Sequence, residues 1–196
     1  RVVLKSLTFR AIDDVHVILK GEDASARIES NCLEETGGLS VDAHYIGGDA
    51  ALDTTIEIFN NVIVDTPSEN GLHVRTGESG ILRVQYNTIL SSGADNLHVD
   101  NDWRTNSIRV SSNIFRGDSV SDVDLDRAFF TFERNIYRDV DFDMDCEGWP
   151  AQICYYSPLG TNYLNVDPDL DDSGRPQDGS WAIDRGEDAA TPVLIF

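Results

Sequence analysis

"QYNTILSS", residues 85–92, has close variants at 59–66 ("FNNVIVDT"), 111–118 ("SSNIFRGD") and 133–140 ("ERNIYRDV"). Each sets an Asn before an apolar or Thr residue and then a large apolar one. With one further copy, this Asn falls at Asn31, Asn61, Asn87, Asn113 and Asn135, with gaps of 30, 26, 26 and 22. Positions −5, −3 and +2 from the Asn are Ala26, Ile28 and Leu33, then Ile56, Ile58 and Ile63, then Leu82, Val84 and Ile89. They continue with Ile108, Val110 and Phe115, and with Phe130, Phe132 and Tyr137, so all fifteen are apolar or aromatic. An earlier copy supplies Val2, Leu4 and Phe9, with Leu7 where the Asn would stand. The alternation at −5 and −3 is that of a strand with one face buried.

A second stripe lies between the Asn positions: "VHV" (15–17), "LSV" (39–41), "LHV" (72–74), "LHV" (97–99) and "VDL" (123–125), with "FDM" (142–144) as an extension. Its spacings are 24, 33, 25 and 26. A period of about 25 with two or three short strands per repeat, and no helical periodicity, is the signature of a solenoid. The expected fold is all-β, a right-handed parallel β-helix of about six or seven coils with an irregular C-terminal cap. A β-sandwich is the runner-up, but it needs no fixed period. In a β-helix the Asn stands at the same bend of every coil. Its amide can then donate to the next amide's carbonyl, which makes burial tolerable. Residues 1–140 are assigned to the coils, and 141–196 to a flap and capping segment of the same domain.

The chain resembles the pectate-lyase-like right-handed β-helix proteins. The resemblance rests on "IFNNVIV" (58–64), "LHVRTGESGILRVQYNTIL" (72–90) and "LHVDNDWRTNSIRVSSNIF" (97–115). "VDPDLDDSGRPQDGSWAIDRG" (166–186) is similar to the segment that often closes such helices in bacterial surface and secreted proteins. The resemblance implies an extracellular or cell-surface location. It is specific for fold and not for activity, since this fold carries lyases, hydrolases, epimerases and adhesins.

Composition narrows the partners. Acidic residues number 35 against 15 basic, a net charge of −20. Such a surface repels phosphates and anionic headgroups and attracts divalent cations, so nucleic acid is not an expected partner. No apolar run approaches the roughly 18 residues of a membrane span. Cys146 and Cys154 lie eight apart in "CEGWPAQIC" (146–154) and are expected to pair in an oxidising compartment, the alternative being two thiols. Cys32 is then left over. The first residues begin directly in a strand pattern and "TPVLIF" (191–196) is apolar. Open solenoid ends tend to stack, so assembly with other copies of the chain is one expectation.

Candidate site residues come from the outward positions of the second stripe. One column reads His16, Ser40, His73, His98, Asp124 and Asp143. The other reads Ile18, Asp42, Arg75, Asp100, Asp126 and Asp145. Coils about 4.8 Å apart bring column neighbours into contact. His44, Tyr45 and Trp103 lie in longer stretches leaving the same edge, and with Arg127 they could wall a groove for sugar rings. Asp100, Asp124, Asp126, Asp143 and Asp145 offer hard oxygens for calcium. The resemblance implies calcium on such a sheet and an arginine base, with Arg75, Arg104 or Arg127 as candidates. His73 and His98 are the candidates for acid–base work. No Asp or Glu evidently orients the two histidines, which argues against a zinc-type site. The simplest alternative is a solvated polar face.

The known catalytic patterns of related enzymes are missing. Asp13-Asp14 and Asp171-Asp172 lie in bends, and Asp167-Pro168 continues as Asp169-Leu170 rather than His-Glu. "DPDLDDSG" (167–174) has carboxylates at 1, 3 and 5 but no Gly at 6, so it reads as a turn. The functional expectation is a non-catalytic module that binds glycans or assembles with like chains. The alternative is a calcium-assisted polysaccharide lyase.

Overall fold

A computed structural model describes residues 1–21, 23–43, 53–66, 70–76, 79–100, 107–117, 122–125, 129–138, 141–143, 163–164, 167–171, 174, 176–178 and 180. Among them are nineteen strands and no helix. Three parallel sheets run along the coil. The first holds β1 (Val2–Lys5), β4 (Ser25–Glu29), β7 (Asp53–Phe59), β10 (Ser79–Gln85), β13 (Ser107–Ser111) and β16 (Phe129–Glu133) in that order. The second holds β2 (Thr8–Arg10), β5 (Cys32–Glu34), β8 (Val62–Thr66), β11 (Thr88–Ser92), β14 (Ile114–Arg116), β17 (Ile136–Arg138) and β19 (Tyr163–Leu164). The third holds β3 (Val15–Ile18), β6 (Leu39–Asp42), β9 (Leu72–Arg75), β12 (Leu97–Asp100), β15 (Asp122–Leu125) and β18 (Asp141–Asp143). Each strand pairs with its equivalent one coil away, so the chain is a parallel β-solenoid rather than a sandwich.

Register follows the sequence period. In the first sheet Ala26, Ile56, Leu82, Ile108 and Phe130 are successive partners, as are Ile28, Ile58, Val84, Val110 and Phe132. In the second, Phe9, Leu33, Ile63, Ile89, Phe115 and Tyr137 align. These columns meet inside the coil, where Ile58, Ile63, Val84, Ile89, Val110 and Phe115 are wholly buried. A slip of one residue would turn every one of them to solvent.

The bend between the first two sheets explains the repeated Asn. The residue before it, Ser30, Asn60, Tyr86, Ser112 or Arg134, has a left-handed backbone with φ between 56° and 59°. That turns the peptide away from the inter-coil ladder, and the side-chain amide fills the gap. Asn87 shows the arrangement: its Nδ2 donates to Asn113 Oδ1 (3.0 Å) and to the carbonyls of Ile58 (2.9 Å) and Gln85 (3.0 Å). Its Oδ1 accepts from Asn61 Nδ2 (2.9 Å) and from the Asn61 backbone N–H (3.0 Å). The same links join Asn31 to Asn61 and Asn113 to Asn135. Only a short amide offers both donor and acceptor at this reach. Leu7 needs no amide of its own, because its N–H still donates to Asn31 Oδ1 at 3.0 Å.

The outer face of the first sheet carries ion pairs within one strand and between coils. Arg27 reaches Glu29 and Glu57, Arg83 reaches Glu57, and Arg109 reaches Glu133. Hydrogen bonds from Lys5 and Arg27 hold the Glu29 carboxyl below the usual carboxylate range. Pairs this exposed add little stability each, but they oppose a shift of register.

The second sheet is covered on its outer face too. Val64, Leu90, Ile114 and Ile136 form a separate apolar cluster closed by Leu170. Gly174, at φ 76°, lies so close that a Cβ there would stand 3.2 Å from Leu90 and Val62. The tail was expected to close the end of the coil. Its described part lies along the flank instead, and β18 and β19 carry the sheets past residue 140. The described part of the acidic stretch makes turn contacts: Asp167 accepts from the Asp169 N–H, Gln177 N–H donates to the Asp169 carbonyl, and Leu170 bridges Pro176. Leu170→Ala should cost about 2 kcal/mol in urea unfolding and speed hydrogen exchange at Gln177. Unchanged exchange there would mean that Leu170 does not hold the tail down.

Candidate functional site

The third sheet faces outward with the columns expected from the stripe. His16, Ser40, His73, His98, Asp124 and Asp143 are successive partners. Ile18, Asp42, Arg75 and Asp100 form the second column. Strand alternation puts Leu72 and Val74, and Leu97 and Val99, in the core, which leaves the histidines and Arg75 half-exposed on the other face.

Within these columns the charged groups hold one another. Arg75 donates through Nε and Nη2 to Asp100 Oδ2, both at 3.0 Å, and its Nη1 lies 3.8 Å from Asp42. A guanidinium between two carboxylates is a fixed cation; its already high pKa makes it a poor proton acceptor. The expected role of Arg75 as a base therefore has no support in this geometry. The His73 and His98 rings meet edge to face, with centroids 4.9 Å apart. His73 Nε2 is 4.0 Å from Asp100 Oδ2.

Carboxylates do surround the histidines, contrary to the sequence expectation. His98 Nδ1 lies 3.0 Å from Asp124 Oδ2 and 3.2 Å from Asp95 Oδ2. Asp95 was missed because it lies outside both stripes, in the bend before β12. A signal existed: Asp95 stands three residues before His98, as Asn70 does before His73. The two bends are in fact neighbours, and the Asp95 N–H donates to Asn70 Oδ1 at 3.0 Å.

Burial, and then His98, push the His73 imidazole below the ordinary histidine range; Asp100 pulls it up, Arg75 down and Asp42 up. The unfolded chain therefore takes this proton first. The group costs nothing above about pH 6.5, and its destabilisation grows as pH falls through that value. NMR titration of metal-free protein should find His73 titrating below a free histidine peptide, and His73→Gln should remove that part of the acid sensitivity. A His73 value above the peptide's would contradict the packing described.

His44, Tyr45, Trp103, Arg104, Asp126, Arg127, Asp145, Cys146 and Cys154 lie outside the described residues. Asp143 is placed by its strand pairing alone. The groove walls, two of the five calcium-set carboxylates and the disulfide thus rest on the sequence reading.

Fold and face together define a parallel β-solenoid with an asparagine ladder at one bend and a histidine–carboxylate–arginine column on one sheet. No protein-family model, curated protein or solved structure matches the chain. Among the described residues no helix is long and apolar enough to cross a membrane.

Proposed function

We propose that the chain is a non-catalytic β-solenoid module of the cell exterior whose third sheet binds a polysaccharide. The observation that carries this reading is the Asp42–Arg75–Asp100 column, in which the one guanidinium of the column is clamped by carboxylates of both neighbouring coils. Fixed donors and acceptors at coil spacing suit the repeating hydroxyls of a glycan. A clamped arginine does not suit proton abstraction. The right-handed, pectate-lyase-like form and the surface location belong to this reading, on the strength of the quoted repeats. So does assembly with other copies, as a second use of the same scaffold.

One observation favours the alternative of a calcium-assisted lyase. His73 is held towards its neutral form beside His98 and Asp100, as a general base would be. Polysaccharide retention in affinity gels, run beside an ultraviolet assay for unsaturated uronides, separates the two. The module reading expects retention, weakened about tenfold in Arg75→Ala (roughly one charge-assisted contact), and no product. Uronide release that a chelator abolishes would replace it with the lyase.

A further inference from the structure

The nitrogen of His98 and two carboxylates from different coils make a triangle that the reading above does not use. His98 Nδ1 is sealed from solvent and makes no hydrogen bond, although Asp124 and Asp95 oxygens lie 3.0 and 3.2 Å away. A protonated imidazole would aim its N–H along the line to one of them. A neutral one would set its lone pair against two anions. Neither accounts for the arrangement.

We propose that Asp95, His98 and Asp124 bind a first-row divalent transition-metal ion of the zinc or cobalt class. All three donor atoms lie within 4.8 Å of one another. An ion with bonds of about 2.1 Å spaces neighbouring ligands about 3.0 Å apart in octahedral and 3.4 Å in tetrahedral geometry. The nitrogen–oxygen edges fall in that range. Around an octahedral ion a neighbouring ligand lies about 45° off the metal–nitrogen axis, too far off line for an N–H···O bond. That is why the close approach makes no hydrogen bond. Calcium, with bonds of about 2.4 Å and six to eight oxygen ligands, would spread the triangle and would not select a nitrogen.

The side chains keep 23, 27 and 25% exposure for His98, Asp124 and Asp95, so further coordination positions open towards water. A second trio, His73, His98 and Asp100, adjoins the first. It places another imidazole and carboxylate beside those positions. The site joins residues from two coils, so the ion would also pin β12 to β15.

The proposal does not rest on glycan binding, and its test uses metal alone. Metal-free protein is titrated with Zn2+, Co2+ and Ca2+ by calorimetry, and the Co2+ complex is read by visible absorption. Expected are one tight Zn2+ per chain, Co2+ bands, and at least about a hundredfold weaker Zn2+ binding with loss of the bands in His98→Ala and Asp124→Asn. Glu57→Gln, on the first sheet and away from the triangle, should leave both unchanged. Wild-type protein gives a readout independent of variant folding: the His98 ring signals should shift at one equivalent of Zn2+. His98 signals that do not move at saturating Zn2+, or Ca2+ binding as tight as Zn2+, would overturn the site.

Discussion

Asn87→Ala is expected to lower the free energy of unfolding by about 3–5 kcal/mol, a large share of the roughly 5–15 that holds a domain together. The substitution strands the Asn61 backbone N–H, which donates to Asn87 Oδ1 inside the coil, while Asn61 Nδ2 loses one of three acceptors and keeps the Ile28 and Phe59 carbonyls. A buried orphan donor costs about 1–3 kcal/mol. It also removes the donors that serve the Ile58 and Gln85 carbonyls and Asn113 Oδ1. Asn31→Ala should cost about half as much, because Leu7, the N–H it serves, is already 42% exposed. Asn87→Asp refines the point. One carboxylate oxygen would face three acceptors, which raises its pKa above the unfolded value of about 3.9. Its stability contribution is then present below that value and lost as pH rises through the folded one. Urea unfolding at two pH values reads both effects. Equal stability of Asn87→Ala and the parent would remove the ladder from the account.

Phe115→Ala should cost about 3–5 kcal/mol. Phe115 is wholly buried where the second sheet meets the core, and its ring stacks on Phe132 at 6.4 Å with 14° between planes. Truncation opens a cavity between coils whose backbones are tied by parallel ladders on three sides. The walls cannot collapse, so the loss should lie near the top of the range. Phe115→Leu, which refills most of the volume, should lose less than half as much. Thermal and urea unfolding together check this. A loss under about 1 kcal/mol for Phe115→Ala would mean that the interior columns are not packed as described.

The fold was legible because solenoid coils repeat their physics. One bend geometry recurs, one amide satisfies it, and the inward residues recur beside it. The outward columns of the third sheet followed from the same register, which set His73 beside His98 and Arg75 between Asp42 and Asp100. What could not be read was whatever departs from the period. Asp95 reaches the site from a bend, where alternation carries no information. The flank contact of Leu170 hid inside an acidic stretch that looked like a solvated turn. Its counterpart was visible in "VIV" (62–64) and "TIL" (88–90), runs of apolar residues or Thr that have no outward polar position and therefore mark a strand covered on both faces. The partnering of Arg75 was also beyond sequence, since column membership does not say which carboxylate an arginine chooses.

The central claim is that residues one period apart are next-coil neighbours in a fixed register. Cross-linking tests it most directly, in protein whose Cys32, Cys146 and Cys154 are replaced by Ser. Arg83 and Arg109 are paired on the exposed face of the first sheet. Partners in adjacent strands lie about 4.8 Å apart, within disulfide reach, whereas a pair offset by two residues lies about 8 Å apart. Arg83→Cys with Arg109→Cys should oxidise to a single disulfide, mapped by mass spectrometry, while Ile81→Cys with Arg109→Cys should stay reduced. Equal or preferential linking of the offset pair would contradict the stacked coil.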